Sequence, residues 1–295
     1  MLYLIVISDV FDAVQSGKAD RGVVPFENST NGAVIPTLEL LADRNALYPD
    51  IFISGETYLD VRHCLLGHKA PPASLTSSPV LSGTNTPTPS VPAPLQPKSK
   101  PISSLKHIKR IHSHPQAFGQ CEILLSAYLK GVERREESST SRSAEIVKSD
   151  ESGESAAIAS SLAAEVHGLD ILAENIEDRE DNTTRFFVLR KGKPIDESPG
   201  NTEAPSKSMV SFSVEHSKPG TLADVLECFK LHKLNLTSIN SRPTTTVRFQ
   251  YIFFIEFDGS RIKDSDNRVE GALDSLGKFT KSWRWLGSWE DKLQR

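Results

Sequence analysis

The chain has 295 residues, room for about two domains at ~150 residues each. Lys and Arg total 34 against 38 Asp and Glu, a net charge of −4, so no global basic field argues for a nucleic-acid partner. The early apolar run Leu2–Ile7 is six residues, short of the ~7–15 of a signal h-region and the ~20 of a spanning helix, so export and membrane insertion are both disfavoured. Three scattered cysteines (Cys64, Cys121 and Cys228) lack any CxxC spacing, which fits a reducing, cytoplasmic setting better than a disulfide scaffold or zinc ribbon.

In chain order, Leu2–Ile7 reads as a strand. Asp9 then caps a short helix with Val10, Ala13 and Val14 on one face, ended by Gly17. Gly22-Val23-Val24 is a short buried strand stopped by Pro25. The polar loop Glu27–Gly32 follows, then a helix through Leu38 and Leu41. Pro71–Pro101 holds 9 of the 18 prolines and is expected to be a disordered insertion, too poor in apolar surface to offset its ordering entropy. His107–His112 is strand-like. Ser113-His114-Pro115-Gln116 opens a helix with Phe118, Cys121, Leu124 and Leu125 at helical spacing. The charged run Glu133–Glu137 reads as a solvated loop. Ala156–His167 is helical in its later part, with Gly168 as terminator, and Leu169–Ala173 and Arg185–Leu189 are further strands.

The polar run 191–207 is expected to be a linker. Beyond it come strand Met209–Glu215, helix Leu222–Leu231, strands Asn235–Asn240 and Phe249–Phe257, helix Val269–Leu276 and strand Ser282–Trp289. That order, βαββαβ, is ferredoxin-like. The expected organisation is an α/β domain over 1–190 and a second domain over 208–295.

Three polar loops lie beside predicted strands: Glu27–Gly32, Ser113–Gln116 and Asn182–Arg185. In open α/β sheets ligands bind beyond the carboxyl ends of strands, where helix N-termini favour anions. Asn28, Ser29, Ser113 and Gln116 are uncharged donors and acceptors suited to holding carboxylates. Ordinary turn and cap chemistry explains any one such loop, but three together weaken that explanation. His112 and His114, with His63 and His68, match no metal-ligand spacing, and a strand end with a capping histidine accounts for the first two. GxGxxG, GxxxxGK and GxSxG are absent, so nucleotide chemistry and an α/β-hydrolase triad lack their central motifs. Trp283, Trp285 and Trp289 read as core and interface.

The residues Asp20–Ser29 with Gly32, then Ser113-His114-Pro115-Gln116-Ala117, then Asn182-Thr183-Thr184-Arg185-Phe186 resemble, in order, the signature loops of the prephenate dehydratase family. Ser139-Thr140 with Ser143-Ala144-Glu145 is similar to the family's Ser-Thr-Ala-Glu segment, interrupted here by Ser141-Arg142. The C-terminal unit resembles an ACT regulatory domain: Gly220-Thr221-Leu222 is similar to its Gly-Ala-Leu turn, and Asn240-Ser241-Arg242-Pro243 to its Glu-Ser-Arg-Pro motif, with Asn240 in place of Glu.

The resemblance implies a two-lobed α/β dehydratase domain with a cleft, periplasmic-binding-protein-like, followed by the ACT domain. It implies cofactor-free and metal-free conversion of prephenate to phenylpyruvate, water and CO2. Thr184 would be the proton donor, Arg185 an assisting cation, and Glu27, Asn28, Ser29, Ser113, Gln116, Ser139 and Thr140 the substrate contacts. L-Phenylalanine would be the effector, held by Gly220, Thr221, Leu222, Asn240, Ser241, Arg242 and Pro243 in a homodimer or higher homo-oligomer. Arogenate dehydratase, and a phenylalanine-binding protein with an impaired cleft, stand as alternatives. The family's opening Gly-Pro-x-Gly-Thr-Phe-Ser-type loop has no counterpart before Ser8, so an N-terminal truncation is expected.

Overall fold

A computed structural model describes residues 6–70, 95–192, 204–215, 217–245 and 247–293. The strand expected at Leu2–Ile7 lies largely outside these residues, as do most of the Pro-rich tract and of the expected linker. In chain order the elements are α1 (Ile7–Gln15), β1 (Arg21–Asn28), β2 (Gly32–Ala33), α2 (Ile35–Ala42), β3 (Ile51–Asp60), β4 (Cys64–Gly67), β5 (Arg110–Ser113), α3 (Pro115–Gly119), α4 (Glu122–Tyr128) and β6 (Glu133–Glu136). There follow α5 (Thr140–Lys148), β7 (Ser155–Ala159), α6 (Ser161–His167), β8 (Asp170–Ala173), β9 (Thr183–Lys191), β10 (Ser206–Val214), α7 (Thr221–Leu231), β11 (Leu236–Pro243), β12 (Tyr251–Asp258), α8 (Arg268–Gly277) and β13 (Thr280–Glu290).

Chain packing separates two compact units, one made of residues 1–59 with 183–295, the other of residues 60–182. In the first unit, β2-β1-β9-β3 form one sheet and β11-β12-β10-β13 a second. The second sheet is antiparallel throughout, and with α7 and α8 it is the ferredoxin-like βαββαβ arrangement read from the sequence. Its two faces have different neighbours. Val210, Phe212, Ile255 and Phe257 pack with Val225 and Phe229 of α7 and Leu273 and Leu276 of α8. Met209, Phe254, Leu286 and Trp289 instead join Phe11, Val24, Phe26, Ile53 and Phe187 in a core shared with the first sheet. The strand alternation of period two sends neighbouring side chains into these two cores.

The 60–182 unit carries a five-stranded sheet in the order β6-β5-β7-β4-β8. β5 runs parallel to both β6 and β7, and β4 is antiparallel to β7 and β8. One apolar core, from Leu65, Ile111, Phe118, Leu125 and Ile158, joins α3 and α4 to the sheet. A second, from Leu66, Ala144, Val147, Ala157 and Ala164, joins α5 and α6 to it.

Several local expectations are corrected. Helix α1 starts at Ile7 with Val6 as its N-cap, and Asp9 stands in its first turn. The strand at Gly22 continues through Pro25 to Asn28, because a bulge leaves Phe26 without a partner on β9 between Pro25 and Glu27. Val23, read as buried, is exposed. The later part of Ala156–His167 is helical as read, over Ser161–His167, whereas its first part belongs to a buried central strand, Ser155–Ala159, that was not read. The charged stretch Glu133–Glu136 is an exposed edge strand, not a loop.

At Gly287 the backbone of β13 lies directly against that of Ile53 on β3. The Gly287 φ is +144°, and a Cβ there would stand 2.1 Å from the Ile53 carbonyl oxygen. Gly287→Ala should therefore cost about 3 kcal/mol by overpacking and backbone strain, read as a lowered urea midpoint with an unchanged slope.

Candidate active site

The β1–β9 pairing builds one part of the site. Asn28 lies opposite Thr184 in the ladder, and its amide nitrogen donates to Thr184 Oγ1 at 3.0 Å. The same amide's oxygen accepts from the Thr30 and Asn31 backbone N–H groups, both at 3.0 Å, an Asx turn that closes the hairpin into β2. Ser29 meets Thr183 in both directions: its N–H donates to the Thr183 carbonyl, and its hydroxyl accepts from the Thr183 N–H, each at 2.9 Å. Asn28, Ser29 and Thr184 are thus brought together from two segments far apart in sequence. Thr184 and Asn28 keep partial exposure.

Arg185 follows Thr184 but belongs to the opposite face of β9, which it shares with buried Phe187 and Leu189. Its Nε and Nη2 donate to Glu56 Oε2 at 2.8 and 2.5 Å. Nη2 also lies 2.6 Å from Glu256 Oε2, while Glu27 Oε2 is 4.0 Å from Nη1. The guanidinium stacks near the rings of Phe187, Phe26 and Tyr58, at 4.9, 5.5 and 5.9 Å. Arg185 is 7% exposed and Glu56 and Glu256 2% each. Burial works against the Arg185 charge, yet the Glu256 and Glu56 carboxylates outweigh it and hold its pKa above the usual arginine value. Its link to Thr184 is through the β9 backbone.

Lys207 on β10 completes the cluster. Its Nζ lies 2.9 Å from Asp291 Oδ1, 3.7 Å from Glu56 Oε1 and 3.9 Å from Glu256 Oε1. Trp289 Nε1 donates to Glu56 Oε2 at 3.0 Å, and the Lys292 N–H to Glu56 Oε1 at 2.9 Å. Thr237 Oγ1 donates to Glu256 Oε1 at 2.6 Å. Glu56, Lys207 and Glu256 were not singled out from sequence, although a lone charge inside an apolar strand, as in Phe254-Ile255-Glu256-Phe257, was a readable signal.

In the 60–182 unit the remaining expected contacts stand at the carboxyl ends of the parallel strands β5 and β6. Ser113 closes β5 and is fully buried, its hydroxyl donating to the Ile158 carbonyl at 3.0 Å; it fixes the strand end and offers no open surface. His114 is the N-cap of α3, its ring accepting from the Gln116 N–H, the capping role read from sequence. Gln116 is exposed in the first turn. Ser139 caps α5 by accepting from the Arg142 N–H at 3.1 Å, and Thr140 is the first residue of that helix. His112 Nδ1 pairs with Glu137 Oε1 at 2.9 Å, behind the ends of both strands. Glu137, read with the solvated run, is the partner that fixes this histidine.

Of the expected effector residues, Gly220 is the left-handed N-cap of α7, with φ +85°. Thr221 is buried and donates to the Lys218 carbonyl. Leu222 packs at the edge of the helix-side core. Asn240 donates its amide to Ser238 Oγ at 3.1 Å, and Ser241 and Pro243 are exposed on β11. Arg242 is ion-paired with Glu39 of α2, a carboxylate shared with Arg44. Hydrogen bonding from Arg44 keeps the Glu39 pKa below the usual range. Among the described residues no three His, Cys, Asp or Glu side chains group as metal ligands, and no helix is long and apolar enough to cross a membrane.

These loops belong to a known family of lyases. The family model described as prephenate dehydratase matches residues 1–194, and the chain belongs to that family. It is 32% identical over 287 residues to the bifunctional chorismate mutase/prephenate dehydratase of Aquifex aeolicus, covering 97% of this chain and 66% of that one. It is 33% identical over 288 residues to the chloroplastic arogenate dehydratase/prephenate dehydratase 2 of Arabidopsis thaliana, covering 95% and 63%. The chain thus spans under two thirds of the length of these curated relatives. Among solved structures, prephenate dehydratase from Arthrobacter aurescens in complex with L-Phe aligns with a TM-score of 0.74 at 28% identity, covering 97% of this chain and 79% of that one. GqqA, described as a quorum quenching acylase, aligns with a TM-score of 0.74 at 27% identity, covering 99% and 89%.

Asp291 provides a test of the buried cluster. Burial opposes its charge, but the Leu293 N–H and Lys207 prevail and hold its pKa below the usual aspartate value. Its stabilisation is therefore complete above the unfolded-state pKa of ~3.9 and lost as pH falls through the depressed value. Asp291→Asn should lower Tm most near pH 7, and the difference from wild type should shrink steadily below about pH 4.

Proposed function

We propose that the chain catalyses the decarboxylating dehydration of prephenate to phenylpyruvate, the step that supplies the carbon skeleton of phenylalanine. The observation that carries this reading is the Asn28–Thr184 hydrogen bond, which orients one hydroxyl among the residues of two family loops. In the reaction the ring carboxylate departs as CO2, its electron pair enters the ring, and the ring hydroxyl leaves with a proton as water. Aromatisation supplies the driving force, so the protein has to orient the substrate and deliver one proton. Thr184 is the donor in this reading. In the same reading Asn28, Ser29, Gln116, Ser139 and Thr140 are donors to the substrate's oxygens, and Glu27 is an acceptor for its hydroxyl. Ser113 shapes the loop that presents Gln116.

The same reading makes residues 1–190 the dehydratase domain and 208–295 an ACT-type regulatory domain joined by 191–207. L-Phenylalanine is its effector, bound by the Gly220–Leu222 turn of one copy and the Asn240–Pro243 segment of a second in a homodimer or larger assembly. The relative solved with L-Phe supports that assignment. The three buried free cysteines suit a cytoplasmic location.

Three experiments test this. Supplied with prephenate and, separately, with arogenate, the chain should convert prephenate faster, seen as phenylpyruvate rather than phenylalanine. Thr184→Ala should lower kcat by about 10²–10⁴-fold with little change in KM; turnover within a few-fold of wild type would place the proton donor elsewhere. Gly220→Val puts a β-branched residue at a positive φ and should abolish the response to phenylalanine, measured as the loss of its heat of binding. Retained binding would move the effector site away from this turn.

A further inference from the structure

The buried charge cluster holds more ions than the dehydration needs. Two cations, Arg185 and Lys207, face three carboxylates, Glu56, Glu256 and Asp291, with side-chain exposures of 8% or less. Its members come from two sources. Arg185 and Glu56 belong to β9 and β3 of the first sheet, whereas Lys207, Glu256 and Asp291 lie on or just after strands of the ferredoxin-like sheet. Both Glu56 and Glu256 reach across that boundary: Glu56 accepts from the Trp289 indole and the Lys292 N–H, and Glu256 forms an ion pair with the Arg185 guanidinium. A buried ion group of this kind is weak evidence for stability, since apolar side chains of equal volume often serve as well or better. Its best-attested use is to fix one arrangement against alternatives.

What it fixes here is β9 at the residue next to the proposed proton donor. Thr184 precedes Arg185 on the strand, and the Phe26 bulge sets the register that places Asn28 opposite Thr184. A guanidinium clamped by Glu56 and Glu256 and stacked on Phe187 and Phe26 cannot shift without breaking charge-assisted contacts in a buried site.

Building on the dehydratase reading, we infer that Glu256 is a positioning residue for the reaction: from the C-terminal sheet it clamps Arg185, and through β9 it holds the Thr184 hydroxyl where the departing oxygen must be protonated. The C-terminal sheet is then a working part of the dehydratase, and any ligand that moves β12 alters kcat before it alters substrate affinity. Thr237, whose hydroxyl donates to the other Glu256 oxygen, tunes the same clamp from β11.

The test is steady-state kinetics on the whole chain with prephenate. Glu256→Gln keeps the shape of the side chain and removes its charge. It should lower kcat ~10-fold or more, since misplacement of ~1 Å can cost ~10²-fold, while KM stays within about twofold. Thr237→Val leaves every charge in place and should lower kcat by a smaller factor, again at constant KM. It decides the matter if Glu256→Gln does not fold. Val225→Ala, in the helix-side core, serves as the stability control and should lower Tm without separating kcat from KM. Unchanged kcat in folded Glu256→Gln, or in Thr237→Val if that is the variant obtained, overturns the proposal. So does a Val225→Ala variant with the same kcat loss at matched Tm, because the effect would then be general destabilisation. A wild-type chain that turns over neither prephenate nor arogenate overturns the dehydratase reading itself, and the clamp falls with it.

Discussion

The antiparallel pairing of β1 with β9 is the constraint on which the first unit rests. Asn28 and Thr184 are 156 positions apart, and their ladder places two polar loops side by side while it completes the sheet that receives β3. A strand pair closed over so long an interval gains nothing from local propensity. It is held by what lies on its faces: Phe26 stacked on Phe187 with centroids 4.0 Å apart, and Phe187 edge-on to Trp289. The aromatic layer, the bulge at Phe26 and the Arg185 clamp are parts of a single packing solution. The hydroxyl of Thr184 inherits its position from all three.

Much of the architecture was legible in the sequence. The βαββαβ order of the C-terminal part came from clear alternation and helical stripes, and each of its six elements appears with ends shifted by a few residues. The three polar loops were legible as well, because Asn, Ser and Gln at strand and helix ends are chemically conspicuous. What escaped notice has definite causes. β3 carries Gly55, Glu56 and Thr57 in mid-strand, a pattern that resembles a turn until the burial of Glu56 against Arg185 explains it. β6 consists of Glu133, Arg134, Arg135 and Glu136, and forms a strand only because β5 offers it a ladder at the sheet's edge, where charged side chains belong. Ser155–Ala159 has small side chains with little strand propensity, and becomes a strand because β5 and β4 flank it.

The site was only partly legible for a related reason. Residue type identifies a potential donor, and the fold decides which face it occupies. Arg185 is the clearest instance: adjacent to Thr184 in sequence, it spends its charge on Glu56 and Glu256, across the sheet from the hydroxyl it was expected to assist. Ser113 is similar, since the hydroxyl that looked available for a ligand is committed to the Ile158 carbonyl.

The discontinuity of the first unit has a consequence for how the chain is made. The stretch from Asp60 to Asn182 is contiguous and contains all five strands of its sheet, and its ends are joined by a hydrogen bond from the Val61 N–H to the Asn182 carbonyl at 2.7 Å. On the ribosome it can be complete before β9 is synthesised. α1, β1 and α2, which precede it, must wait with an unsatisfied ladder and an uncovered apolar face until β9 has emerged. Vectorial synthesis therefore favours completion of the 60–182 unit before the first unit, and β1 meanwhile presents an unpaired edge to chaperones and to aggregation.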